Sequence, residues 1–219
     1  MKKQIALIDF GAGNLHSVYK AFKYIGADIE ITKDENVIEK SDAVVFPGVG
    51  AFGAAMKSIR KNNLQDIIIK SAVRDIARNV SAKPFLGICI GMQVLFEEGE
   101  ENPEEKGLGV LKGKVVKFTK AKKVPHIGWN DVTRSVIARR SLANASGQAP
   151  QSHYVNKFYF VHSYYVAPED KNIICGTTDY DGETFTSMIK KDNLLAVQFH
   201  PEKSGDAGLQ FLEDFLKSH

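Results

Sequence analysis

Only two cysteines, Cys89 and Cys175, occur in 219 residues, so no disulfide framework staples this chain and a reducing compartment suits it. Long apolar runs are missing too. No stretch approaches the roughly 18–20 apolar residues that span a bilayer. The run Ile5-Ala6-Leu7-Ile8 ends at Asp9, too early for a signal-peptide core. A cytoplasmic setting without a membrane is expected. Charge of one sign is scarce: 29 Lys and Arg stand against 26 Asp and Glu, a net +3. A chain that lives by neutralising phosphates carries a larger, clustered excess, so nucleic acid is not an expected partner. Neither a C-x-x-C pair nor a histidine pair at helical spacing is present, and no metal or cofactor is expected. What remains is 43% hydrophobic and long enough to bury a core unaided, read as one domain over residues 1–219.

The order of elements reads as an α/β open sheet with an added β-rich second half. Gln4 to Ile8, Asp28 to Thr32, Ala43 to Phe46 and Pro84 to Ile88 read as strands. Between the first two, Asn14 is placed to cap a helix whose apolar face is Leu15, Val18, Tyr19, Phe22 and Ile25, closed by Gly26. Ala51 to Lys61 and Leu64 to Arg78 also carry helical patterns. Residues 97–105 hold six glutamates and a proline and read as an exposed acidic turn. Residues 112–140 hold nine Lys or Arg against one acid, either a solvated strand face or a docking surface. Residues 141–153 read as a loop. Phe158 to Val166, Asn172 to Thr178, Thr184 to Lys190 and Leu194 to Phe199 read as strands, with Asp181-Gly182 as a hairpin turn. Asp206 to Lys217 reads as a closing helix with Leu209, Leu212, Phe215 and Leu216 inward.

Three constellations carry chemistry. Gly87-Ile88-Cys89-Ile90-Gly91 lies between a buried strand and a helical run over Met92 to Phe96. Such a turn lifts a nucleophile out at the carboxyl end of a sheet, at a helix N-terminus that favours thiolate. The alternative is a buried structural cysteine. A cysteine nucleophile needs a base, and His200-Pro201-Glu202 follows another apolar strand. Residues two apart in extended chain project to one side, so Glu202 can accept the imidazole N–H. Pro47-Gly48-Val49-Gly50-Ala51-Phe52-Gly53 spells a G-x-G-x-x-G, but Pro47 and the lack of an acidic residue ending a second strand argue against a dinucleotide site. Its backbone amides, at Val49 and Gly50, would instead face an oxyanion beside the amide of Ile90. Trp129, on the glycine turn His126 to Asn130, leans towards an interface.

These residues resemble the class I, triad-type glutamine amidotransferases, through Gly87 to Gly91 with Met92-Gln93, Pro47-Gly48-Val49-Gly50 and His200-Pro201-Glu202. The resemblance covers nearly the whole chain and implies a three-layer, flavodoxin-like open sheet. A narrower set, Asp9 to Asn14, Pro47 to Gly53, Val124 to Asn130, Phe160 to Tyr164 and His200 to Lys203, is similar to the glutaminase subunits of imidazole glycerol phosphate synthases, which serve histidine biosynthesis. The resemblance implies Cys89 as nucleophile, His200 as base and Glu202 as its partner. Gly50, Gln93, Ser163 and Tyr164 match positions that hold the substrate glutamine. Trp129, Tyr159, His162 and Lys203 match positions near the interface with a cyclase subunit, in a heterodimer through which ammonia passes. Residues 134–157 match no motif of the family. They leave room for a paralogous subunit feeding another synthase. A cysteine peptidase-like hydrolase is a further alternative, against which Gln93 argues, and a non-catalytic module is opposed by the intact Cys89, His200 and Glu202.

Overall fold

The computed structural model describes residues 3–73, 83–134 and 156–217. In chain order these form β1 (Gln4–Ile8), α1 (Leu15–Tyr24), β2 (Asp28–Thr32), α2 (Glu35–Lys40), β3 (Ala43–Gly48), α3 (Phe52–Lys61), α4 (Gln65–Ala72), β4 (Phe85–Cys89) and α5 (Ile90–Gln93). There follow β5 (Phe96–Gly99), β6 (Leu111–Lys117), β7 (His126–Arg134), β8 (Asn156–His162), β9 (Tyr164–Pro168), β10 (Ile174–Tyr180), β11 (Glu183–Lys191), β12 (Leu194–Val197) and α6 (Gly205–Lys217). The strands make one mixed sheet with main order β2-β1-β3-β4-β12-β11-β10-β7-β8. From β2 to β12 the pairing is parallel; from β12 to β8 it is antiparallel.

Alternation along the central strands sorts the core into two layers. Ala6, Ile8, Val44 and Phe46 pack with Met56, Ile59, Ile67 and Ile68 of α3 and α4. Ile5, Leu7, Val45, Leu86 and Ile88 pack with Val18 and Phe22 of α1 and Phe211, Leu212 and Phe215 of α6. The result is the expected α/β sheet with helices on both faces.

Register decides where the chemistry can sit. Gly48 at the end of β3 lies opposite Cys89 at the end of β4, and Ile88 lies opposite Val197 at the end of β12. Three loops therefore leave the sheet side by side at the carboxyl ends of its parallel strands, where α/β folds bind ligands. The turn after β4 is closely packed: a Cβ on Gly91 would lie 1.8 Å from the carbonyl oxygen of Phe46, and one on Gly87 2.9 Å from that of Gly91. Both obstacles are backbone. Gly91→Ala should lower Tm by roughly 5–10 °C, the consequence of overpacking by about 1–3 kcal/mol at this chain length. Thermal melting followed by circular dichroism checks it.

Several expectations need correction. Asn14 does not cap α1 with its side chain; it sits in the left-handed region (φ 74°), and its amide goes elsewhere. The helix starting near Leu64 stops at Ala72, because Val73 is extended (φ −106°, ψ 133°); residues 74–78 lie outside the described residues. The helical run after Cys89 covers only Ile90–Gln93, and Phe96 already begins a strand, so little dipole acts on the thiol. The acidic stretch is a strand and turn, with Glu101 turned back to accept from the Phe52 amide at 2.8 Å. Phe158 to Val166 is two strands, because the chain changes partner at Ser163, from β7 to β6 and β11. In α6 it is Phe211 that is buried, while Leu209 and Leu216 are only partly covered. Lys112 and Lys114 alternate outward along β6, a solvated strand face, and Lys117 is exposed at the strand's end. The loop expected at 141–153 and the basic residues Arg139 and Arg140 lie outside the described residues.

Candidate active site

Cys89 ends β4 with φ 53° and ψ −109°, a conformation β-carbons resist. Such strain, roughly 1–3 kcal/mol, persists only where the surroundings impose it. Here the close contacts of Gly87 and Gly91 do so. Cys89 opens onto a cavity of about 260 Å³, near the lower end of small-molecule sites. Val49, Gly50, Ile90, Gln93, His162, Ser163 and Tyr164 line it with Cys89. Glu101, Pro125 and Val161 complete the wall. Gly50 has φ 121°, a conformation that residues with a side chain rarely adopt, and open space where a Cβ would be.

Behind the cysteine, His200 Nδ1 lies 2.7 Å from Glu202 Oε1, both side chains fully buried. Asn14 Nδ2 donates to the same Glu202 oxygen at 2.5 Å. This is where the expected capping side chain has gone: it holds a carboxylate 188 residues away. His200 Nε2 and Glu202 Oε2 are buried without a hydrogen-bond partner among the described residues. Burial alone would lower the His200 pKa. The charge of Cys89 beside it, and the hydrogen bond and charge of Glu202, outweigh that and push it up to about 10. A histidine so placed holds a proton beside the sulphur. Gln198, on the same side of the extended chain as His200, donates from Nε2 to Cys89 Sγ at 3.5 Å.

A second polar chain runs along the cavity wall. The Tyr164 carbonyl accepts from Gln93 Nε2 at 3.0 Å and from His162 Nδ1 at 2.8 Å. A carbonyl only accepts, so the His162 proton is on Nδ1 and its Nε2 accepts from His126 Nδ1 at 3.1 Å. His126 Nε2 then faces the Asn130 amide at 3.3 Å. Burial pushes His126 down to about 4 and His162 to about 3, keeping both neutral. Between pH 6.5 and those values the unfolded chain binds protons that the folded chain refuses. The contribution of these two histidines to stability is therefore full above pH 6.5 and falls on acidification, by up to about 1.4 kcal/mol per pH unit for each. The slope of Tm against pH from 6.5 to 4 should be shallower in His126→Gln than in the unaltered chain.

On the outside of the same sheet region, Trp129 and Ile127 are 55% and 57% exposed. Tyr159 lies opposite Trp129 across β7 and β8, and Lys203 Nζ sits 5.9 Å over the Tyr159 ring. The Tyr159 carbonyl accepts from the His200 backbone N–H at 2.8 Å. Of the four residues expected near an interface, Trp129, Tyr159 and Lys203 thus share one exposed patch. His162 is 6% exposed and stands on the cavity wall, where its ring packs between His126, Phe118 and Phe185. Asn14, Glu101 and Gln198 were not singled out for the site by sequence. Glu101 stood in the acidic run and Gln198 directly before the Phe199-His200 pair, but neither has a pattern of its own.

No group of three or more metal-binding side chains occurs among the described residues. No helix among them is long and apolar enough to cross a membrane.

Comparison with known proteins gives concordant results. The family model for class-I glutamine amidotransferases matches residues 6–218. The imidazole glycerol phosphate synthase subunit HisH 1 of Methanococcus maripaludis is 44% identical over 219 residues, covering 97% of this chain and 98% of that protein. The subunit HisH of Pyrococcus furiosus is 45% identical over 216 residues, covering 98% of each. Among solved structures, PurLQS from Thermotoga maritima superposes with a TM-score of 0.73 at 18% identity, covering 99% of this chain and 98% of that one, a likeness of fold.

Proposed function

The chain belongs to the class-I glutamine amidotransferases, and from that premise we propose that it is the glutaminase subunit of an imidazole glycerol phosphate synthase. In this reading a single domain, working in the cytoplasm, hydrolyses glutamine and passes ammonia to a cyclase subunit, which makes imidazole glycerol phosphate and an aminoimidazole carboxamide ribotide. The observation that carries the chemistry is a strained cysteine facing a small cavity, with a buried His200–Glu202 pair immediately behind it. The relatives named as subunits of that synthase, at 44–45% identity over nearly their full length, carry the pathway.

Each residue then has a task. Cys89 sulphur attacks the side-chain amide carbon of glutamine. The oxyanion is met by backbone amides near Val49, Gly50 and Ile90, each such donor worth roughly 3 kcal/mol in the transition state. His200 gives its proton to the leaving ammonia, then takes one from the water that hydrolyses the glutamyl thioester. Glu202 holds the imidazole by Nδ1 and favours its charged form. Gln93 has both N–H bonds committed, to Tyr164 and Gln198, so its carbonyl oxygen is what it offers the substrate. Ser163 and Tyr164 bound the cavity beside it. Trp129, Tyr159 and Lys203 form the dock for the cyclase.

The test is reconstitution. Mixed with the cyclase subunit of its own organism, the chain should support glutamine-dependent formation of imidazole glycerol phosphate. Glutaminase activity that appears only with the synthase subunit of another pathway would reject the assignment while leaving the hydrolytic chemistry in place.

A further inference from the structure

We propose that Gln198 is a positioning residue that holds the Cys89 sulphur through a side-chain N–H, in an orientation imposed by the backbone carbonyl of Tyr164. The inference rests on Cys89 being the nucleophile. It adds a donor to the sulphur that is neither His200 nor an oxyanion amide.

The orientation of a side-chain amide is fixed only by its neighbours, and here they fix it. The Tyr164 carbonyl cannot donate. Gln93 must therefore present Nε2 towards it, because its own oxygen there would set acceptor against acceptor. His162 Nδ1–H reaches the same carbonyl from the other side and holds it in place. With Nε2 of Gln93 so placed, its second N–H meets Gln198 at 2.9 Å, and the atom of Gln198 that receives it is Oε1. The other end of the Gln198 amide, Nε2, is left facing Cys89 Sγ at 3.5 Å. Gln198 is wholly buried, and its backbone N–H is anchored on the Ser187 carbonyl at 2.9 Å, so the amide has little room to turn. His200 Nε2 meanwhile makes no hydrogen bond of good geometry. In the structure as it stands, the side-chain donor hydrogen-bonded to the sulphur is the glutamine.

The physical consequence is definite. A donor to sulphur favours thiolate over thiol, and it aims the sulphur while the imidazole is free to face the leaving group. Gln198 touches the nucleophile and not the cavity, so its loss should act on the reactivity of Cys89 more than on the binding of glutamine.

Alkylation of Cys89 by iodoacetamide from pH 5 to 9, with the modified peptide identified by mass spectrometry, reads this directly. Cys175, 1% exposed and pushed up to about 12 by burial, serves as the internal unreactive thiol. Two variants are compared with the unaltered chain: Gln198→Met, similar in length and without a donor, and Gln198→Glu, whose carboxylate adds a like charge. The other ionisable groups around the sulphur, His200 and Glu202 behind it and Glu101, His162 and Tyr164 on the cavity wall, are the same in all three. The midpoint of the alkylation profile should rise by about one pH unit in Gln198→Met, a tenfold loss of thiolate below the midpoint, and further in Gln198→Glu. In the complex, kcat should fall about tenfold with KM changed less than twofold. A merely structural role would lower Tm and leave the midpoint where it is. Midpoints that coincide with the unaltered chain in the folded variant or variants would overturn the proposal, as would a Cys89 that resists alkylation throughout in the unaltered chain. Should Gln198→Glu not fold, the uncharged variant decides. Failure of the nucleophile assignment itself reads differently, as glutamine hydrolysis retained by Cys89→Ala.

Discussion

Cys89→Ala is expected to abolish glutamine hydrolysis while the chain stays folded. Removing a covalent nucleophile from a triad costs on the order of 10⁴–10⁶ in kcat, because the remaining groups act on an attack that no longer occurs. The size of the effect follows from how much of the site exists to serve this one atom. The chain holds Cys89 at φ 53°, packs backbone against Gly87 and Gly91 to keep it there, and buries an ion-pairing His200–Glu202 unit behind it. His200→Ala should approach the same loss, since it removes the proton carrier. Glu202→Gln should cost less, because an amide oxygen can still accept from His200 Nδ1 and Asn14 still anchors the side chain. Steady-state glutaminase assays on the complex rank the three. A glutamine-analogue label found on Cys175 in place of Cys89 would end the assignment. The strain supplies an independent check: Cys89→Gly should melt above Cys89→Ala by a few degrees, because glycine adopts φ 53° without the penalty a β-carbon incurs.

How much of this was legible in sequence depends on how local the cause is. The parallel half was legible because each buried strand is a short apolar run closed by a turn signal, and the loops at Gly48 and Gly87–Gly91 follow from that rhythm. Period also set the limits. In α6 a shift along the helix put Leu209 and Leu216 inward where Phe211 lies, since both stripes satisfy a 3.6-residue repeat and only packing against Phe158 and Phe199 separates them. Asn14 shows the same limit in the site. Its type and position promise a cap, but the chain enters α1 in a left-handed turn, and the amide is claimed by a carboxylate far along the sequence. Gln198 and His162 were opaque for the same reason. One gains its meaning from Gln93 and Cys89, the other its burial from Phe118 and Phe185, none of them near in sequence.

The isolated chain is expected to be a poor glutaminase that docking switches on. Two features place the switch. Gly50, at φ 121° with open space where a Cβ would be, would let the peptides after β3 rotate, so that the amide near Val49 faces the oxyanion in one state and away from it in another. The exposed patch is wired to the base: Trp129 pairs in register with Tyr159, and the Tyr159 carbonyl and the Ser204 hydroxyl both bond the chain that carries His200. A cyclase surface that covers Trp129 and Ile127 and sets a carboxylate against Lys203 would therefore load the element on which His200 stands. Aromatic burial at the centre and a charge at the rim is the anatomy of a tight, oriented dock. If the competent arrangement is populated at about 1% in the free chain and near fully in the complex, the rate rises roughly 100-fold. Glutaminase rates of the free chain and the complex measure it, and equal rates would remove the switch. Lys203→Ala should lose most of the stimulation while Cys89 stays open to alkylation, because Lys203 lies over Tyr159 and outside the cavity. Trp129→Ala should weaken the complex itself by about 2 kcal/mol or more, a thirtyfold rise in Kd. At saturating cyclase it should recover the full rate, and Lys203→Ala should not. That difference separates holding the partner from transmitting its presence to His200.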